Sequence, residues 1–275
     1  MLENKSGIIM GIANNRSIAS AIATHCYRNG AKVGYSHLPD SSGKMKSRVE
    51  KVVQPLEPVF LEPCDVNSDA SLEAFFNQAK QSMGKIDFLV HSIGFAPLED
   101  LRCDTIDTSR EGFKVALETS AYSLIAVANK ARQILKPGGS ILTLTYLGGE
   151  RVIEGYNLMG IAKAALEAAV KYLAVDLGGE NIRVNSISAG PIKTLAASAI
   201  SDFSKMCSIN ADMAPLGRNT DAEEVAKSSL FLLSELSSGV TGENMHVDCG
   251  YHIVGSPKKG CIEKWSKTDS SATHP

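Results

Sequence analysis

Tyr156 and Lys163 carry complementary proton chemistry and stand seven positions apart. The segment from near Asn157 to Leu177 has a helical pattern. At about 100° per residue, seven steps end roughly 20° short of two full turns. Both side chains then project from one face, about 10 Å apart along the axis, a gap that suits two groups touching different parts of one bound molecule. A free phenol has a pKa of about 10, and a nearby ammonium favours the phenolate. The spacing therefore predicts a lowered Tyr156 pKa and a better proton donor. Exposed tyrosines and lysines are common, so the pair alone carries little. Tyr146 differs in kind, because it directly follows the apolar run Ser140 to Thr145.

Other candidates also end apolar runs. Gly11 follows Ile8 to Met10, and Ile12 to Ala19 lead into a helix. A glycine permits a tight turn, and the free N–H groups of a helix start attract a diphosphate. The second and third glycines of a G-x-G-x-x-G fingerprint are absent, with Ser17 and Ala19 in the helix-opening segment. An ordinary βα turn without ligand fits equally well. Asp65, in Cys64-Asp65-Val66, offers a carboxylate either to an adenine amino group or to the next helix as a cap. In His91-Ser92-Ile93-Gly94 the glycine admits a ribose or nicotinamide, while His91 fits a core role better than a ligand's. None of the six histidines belongs to an H-E-x-x-H or Cys/His cluster, so no metal site is expected.

These positions require strands and helices in alternation. Ile8 to Met10, Lys32 to Ser36, Val59 to Leu61, Ile86 to His91, Ser140 to Thr145, Ile182 to Ser188 and Met245 to Val247 read as strands. Helices are expected over Ser17 to Asn29, Asp69 to Ser82, Ser109 to Leu135 and Asn157 to Leu177, the third ended by Pro137-Gly138-Gly139. Thr220 and Glu223 have capping-box spacing ahead of a helix running to about Leu233. Strands separated by helices imply a parallel, doubly wound α/β sheet in one domain, with ligands beyond the carboxyl ends where strand order reverses. The expected division is a catalytic domain over residues 1–255 and a polar, loosely ordered tail over 256–275.

Composition narrows the class. Lys plus Arg total 28 against 30 for Asp plus Glu, which argues against a nucleic-acid binder. No run approaches the roughly 20 apolar residues of a membrane span, and the few polar residues before the first strand leave no room for a signal peptide. The six cysteines lack any C-x-x-C pair and read as reduced thiols in a cytoplasmic protein.

Taken in order, Gly11 with Ser17-Ile18-Ala19, Cys64-Asp65-Val66, His91 to Pro97, Thr145 to Gly148, Tyr156 to Lys163 and Ser188 to Ala196 form one constellation. It resembles the NADH-dependent enoyl-acyl-carrier-protein reductases of bacterial fatty-acid synthesis, a divergent branch of the short-chain dehydrogenase/reductases. The match spans roughly Gly7 to Ile253. Ordinary members of that superfamily space Tyr and Lys four apart; seven, with a tyrosine upstream, marks the enoyl reductases.

The resemblance implies a Rossmann-like fold and hydride transfer from NADH to the β-carbon of a trans-2-enoyl thioester. Gly11, Ser17 and Ile18 would hold the diphosphate, Asp65 and Val66 the adenine, and Ile93 and Lys163 the nicotinamide ribose. Tyr156 would hydrogen-bond the thioester carbonyl, Tyr146 would stand beside the substrate, and Ala96 would touch it through its backbone. Ile192, Lys193, Thr194, Leu195 and Ala196 would contact the cofactor and begin a flap over residues 190–210. Thr194, Leu195, Ala196, Ala197, Ala199 and Ile200, an apolar stretch with little bulk, also read as one side of a buried helix.

Implied partners are the acyl carrier protein and further copies of the chain in a homotetramer. The alanines Ala164, Ala165, Ala168 and Ala169 suit either an interface or packing on the sheet.

The sequence departs from the family in three places. Leu38 falls where a glutamine is usual, with no acid to grip a ribose 2′-hydroxyl, while Lys44, Lys46 and Arg48 downstream keep NADPH open. Cys249 replaces a common glycine, and Lys205 stands without the usual basic neighbours. Two rivals remain: a 3-oxoacyl reductase, opposed by Gly160 four residues after Tyr156, and a non-catalytic dinucleotide sensor, opposed by the presence of both tyrosines and Lys163.

Overall fold

The computed structural model describes residues 1–194 and 203–257 of the chain, together with Gly260. Its centre is one seven-stranded sheet in the order β3-β2-β1-β4-β5-β6-β7. The strands are β1 Ser6–Met10, β2 Lys32–His37, β3 Leu61–Pro63, β4 Ile86–His91, β5 Leu135–Thr145, β6 Arg183–Ala189 and β7 Asn244–Val247. Every pairing is parallel, as the alternation with helices demands. The helices are α1 Ile18–Arg28, α2 Lys44–Val53, α3 Asp69–Met83, α4 Leu98–Arg102, α5 Arg110–Leu117, α6 Ser123–Arg132, α7 Asn157–Gly178, α8 Phe203–Met213 and α9 Ala222–Leu233.

Alternating strand residues face two cores. Ile8, Met10, Leu89 and Ile141 join α3, α6 and α7 on one side. Ile9, Val90, Leu142 and Ile187 join α1 and α9 on the other. Burial of each such side chain contributes about 1.5–3 kcal/mol. Strand order reverses between β1 and β4, which puts the crevice beyond Met10 and His91.

The expected α/β architecture is present, with local differences. The edge strand pairs with β2 through Leu61, Glu62 and Pro63, two residues later than its apolar run suggests. Pro63 is tolerated there because an edge strand lacks a neighbour on one side. The long helix ends at Arg132 and contains a π turn at Glu118–Tyr122. Pro137-Gly138-Gly139 does not end it; those residues lie within β5, where the register against β4 jumps from Ile86↔Leu135 to Phe88↔Ser140. The capping box before α9 uses Asp221 and Glu224, one residue beyond Thr220 and Glu223. A carboxylate accepts the N–H bond more strongly than a hydroxyl, and Thr220 instead donates to Glu224.

Candidate active site

Three segments meet at the switch point. Gly11 has φ +95°, and a Cβ built there would fall 1.9 Å from the Ser92 carbonyl oxygen. Only glycine allows the β1–α1 turn to lie this close to the loop after β4. Ser17 holds that turn, its hydroxyl accepting from the Ala13 and Asn14 N–H groups, both at 3.1 Å. It occupies the N-cap of α1 but makes no side-chain cap bond. Ile18 packs, half-buried, on the core beneath.

The loop after β4 is pinned from the π turn. Ser120 Oγ accepts from Phe95 N–H and donates to the Phe95 carbonyl, both at 2.9 Å. Ile93 packs on the core, and Ala96 is buried with Leu101, Ala116 and Leu158. A Cβ on Gly94 would stand 3.5 Å from Lys163 Nζ, so this loop runs close over the lysine head. His91 is fully buried, its ring nitrogens contacting the Thr143 and Ser123 hydroxyls. Burial and the Lys163 charge push it down to about 3, so it is a neutral core residue.

Lys163 is buried in α7 and donates to the Leu144 carbonyl oxygen at 2.9 Å. Burial lowers its pKa to about 8, while Glu167 acts in the opposite direction. Tyr156 is the N-cap of α7, not part of its regular turns. The next residue, Asn157, has φ +40°, and its Nδ2 donates to the Leu101 and Cys103 carbonyls at 3.2 and 2.6 Å. The 100° step fails at that joint, so uniform helical spacing does not describe the pair. What aligns them is the turn Leu147–Gly149. A Cβ on Gly148 would overlap the Tyr156 ring at 2.3 Å, and one on Gly149 would reach Lys163 backbone at 3.0 Å.

Tyr146 packs edge-on to Tyr156, ring centroids 4.8 Å apart and planes at 70°. Its hydroxyl lies 3.6 Å from the Met206 sulfur of α8. Burial raises both phenols; the Tyr146 and Glu167 charges add to the effect at Tyr156. This corrects the expectation that Lys163 lowers Tyr156: desolvation disfavours the phenolate and decides the sign.

A family model for the Enoyl-(Acyl carrier protein) reductase matches residues 11–252. The chain belongs to this enoyl reductase family. An enoyl-[acyl-carrier-protein] reductase [NADH] of Rhizobium meliloti is 51% identical over 93% of both chains. One from Bacillus cereus is 48% identical over 93% of this chain and 99% of its own. The Bacillus cereus enzyme solved with NADP+ and indole naphthyridinone superposes with a TM-score of 0.89, at 48% identity over 93% of this chain and 99% of that one. The Anaplasma phagocytophilum enzyme solved with NAD gives 0.89, at 44% identity over 94% and 97%.

Other expected positions of the enoyl reductase fall as follows. Asp65 does not cap α3; Ser68 does, accepting from Ser71 N–H. The Asp65 carboxylate instead accepts from Asn67 N–H at 3.0 Å, shaping the turn after β3, and Val66 is buried beside it. Ile192 packs on the core and Lys193 is exposed, while Thr194 N–H donates to the Ile192 carbonyl. Leu195 and Ala196 lie outside the described residues, as do positions 197–202 of the expected flap and most of the expected tail. Leu38, Lys44, Lys46 and Arg48 are exposed. Cys249 has φ +58°, the region glycine favours, and burial raises its thiol, which suits a passive role. Among the described residues no His, Cys, Asp and Glu cluster is placed to hold a metal, and no helix is long and apolar enough to cross a membrane.

Sequence reasoning missed Ser120, Asn157, Met206 and Glu167. Glu167, four residues after Lys163, was visible as a helical neighbour. Nothing local marks the other three.

Proposed function

We propose that this chain is an enoyl-acyl-carrier-protein reductase that reduces trans-2-enoyl thioesters with NADH. The residues fit a dinucleotide. The first turn of α1 carries no acidic side chain, so nothing there repels a diphosphate from its free N–H groups. His37, the last residue of β2, has a buried Nε2 with no partner among the described residues, an orphan polar atom on the adenosine side. An ammonium has three donors, and the bond to Leu144 uses one. Two remain for ribose hydroxyls.

Gly11, Ser17 and Ile18 would hold the diphosphate, Asp65 and Val66 the adenine, and Ile93 and Lys163 the nicotinamide riboside. Ile192, Lys193, Thr194, Leu195 and Ala196 would close over it as the start of the flap. The reduced nicotinamide supplies a hydride to the substrate's β-carbon when bound. Negative charge then develops on the thioester carbonyl oxygen, where Tyr156 donates a hydrogen bond. Its raised pKa keeps that proton in place at physiological pH. Tyr146 orients the ring of Tyr156 edge-on, and Ala96 lines the acyl side. Water exclusion by the flap strengthens the interaction.

The observation that carries this reading is Lys163, buried on the helix that Tyr156 caps, with its head beneath Gly94. The rival carbonyl-reductase spacing is sterically closed: a Cβ on Gly160 would already lie 2.8 Å from the Gly148 carbonyl oxygen, leaving no room for a lysine side chain. NADH and NADPH oxidation, side by side, with crotonyl thioester and with acetoacetyl thioester tests both points. Turnover of the crotonyl thioester with NADH is the expected result; preference for acetoacetyl would overturn it, and tight NADH binding without any turnover would favour the sensor. NADPH use would implicate Lys44, Lys46 or Arg48.

The natural substrate's carrier is the acyl carrier protein, for which Lys205 on α8 offers one exposed cation. The assembly is a cytoplasmic homotetramer. Supporting it, Ile161, Tyr172 and Val175 line an exposed face of α7 together with Ala164 and Ala168, while Ala165 and Ala169 turn toward the sheet.

A further inference from the structure

We infer that Glu167 is a positioning residue that acts through Lys163, keeping its head cationic. The inference rests on the reductase reading above. Glu167 lies one helical turn after Lys163, on the same face of α7. Consecutive residues at the end of β5 grip the two side chains. The Leu144 carbonyl accepts from Lys163 Nζ at 2.9 Å, and Thr145 Oγ1 donates to Glu167 Oε1 at 2.6 Å. Both bonds are buried, so they register α7 against the sheet at the carboxyl end. Gly149 closes over the same pair, for a Cβ there would fall 2.4 Å from Glu167 Oε1 and 3.0 Å from the Lys163 carbonyl carbon.

A carboxylate this deep is costly without a cation. The other nearby cation, Lys171, is exposed on the same helix, so Lys163, one turn away, is the buried cation whose charge acts on Glu167 through space. Burial raises Glu167, and Thr145, Lys163 and Lys171 oppose that rise. Other charges also face the pair. Glu150, bound by Asn244 and facing His246, repels Glu167 from the turn side. His91 faces Lys163 from β4 but is neutral, and Tyr156 is protonated. Glu167 is thus the anion that balances Lys163.

NADH affinity, followed by nicotinamide fluorescence from pH 6 to pH 9, tests the inference without turnover. In the parent, binding weakens as Lys163 deprotonates near about 8. Glu167→Gln is expected to move that alkaline limb about one unit toward acid, an approximately fivefold loss at pH 8 with little change at pH 6. Glu167→Asp should restore most of the parent profile. A role in packing alone would weaken binding equally at every pH, and that result, or an unmoved limb, would overturn the inference. Should Glu167→Gln fail to fold, Thr145→Val serves instead. Without its hydroxyl the Glu167 carboxylate is freed from β5, so the alkaline limb should move the same way by a smaller step; an unmoved limb would count against the inference. Parent turnover of crotonyl thioester separates the two readings. A parent that binds NADH but reduces nothing defeats the reductase reading, while the pH profiles still decide Glu167.

Discussion

The two halves of the crevice are built differently. On the adenosine side, the side-chain bonds of Ser17 and Asp65 are short in sequence. Ser17 bonds residues three and four positions away, Asp65 accepts from two positions on, and its own N–H reaches Ser71, six on. On the nicotinamide side, Lys163 bonds a carbonyl 19 positions away, Ser120 a loop 25 away, Asn157 carbonyls 54 and 56 away, and Tyr146 meets Met206 across 60. A turn that satisfies itself locally survives small changes elsewhere. A reaction site held by distant segments is rigid only when the whole sheet is in register.

Substitutions on the distant-contact side should therefore have the larger effects. Lys163→Ala removes a buried cation and its β5 bond together. NADH affinity and turnover should both fall, turnover by more than a hundredfold, as measured by fluorescence titration and steady-state kinetics. An effect on one quantity alone would break the assignment of Lys163 to both. Tyr156→Phe removes one donor to the developing oxyanion and should lower turnover about a hundredfold, ~3 kcal/mol, with NADH affinity within about twofold of the parent. Turnover like the parent's would remove Tyr156 from its role.

His91 sharpens the comparison through pH. Its folded pKa is held at about 3, whereas an unfolded histidine titrates near about 6.5. Below that value the unfolded chain takes up a proton that the folded chain refuses, so stability falls as pH falls. Relative to His91→Asn, the parent should lose about 2 kcal/mol between pH 7 and pH 5, read from urea unfolding at both. A flat difference would mean that His91 titrates normally in the fold. The smallest effect belongs to the local side. Ser17→Ala should cost about 1 kcal/mol of stability and only a few-fold in NADH affinity. A loss as large as that of Lys163→Ala would erase the distinction between the halves.

Strands β1, β2, β4 and β6 were legible from their apolar runs within two residues of the observed ends, because buried parallel strands read as continuous hydrophobic segments. Edge strand β3 was displaced by two residues, whereas the other edge, β7, was read to within one. The π turn at Glu118–Tyr122 carries no letter pattern of its own, yet it delivers Ser120 to the Phe95 loop. The Tyr156–Lys163 pairing was found from spacing for a reason that the structure replaces. Asn157 breaks the helical phase, and the turn Leu147–Gly149 restores the alignment.

By itself the order of residues determined the parallel α/β architecture, the strand-end position of Gly11, Asp65, Ile93 and Tyr146, and the seven-residue separation of phenol and ammonium. Periodicity and turn chemistry are local properties, so a linear chain displays them. Tertiary structure alone decided the charge states. Desolvation raises Tyr156 and lowers Lys163, and desolvation is a sum over every neighbour, most of them far away along the chain.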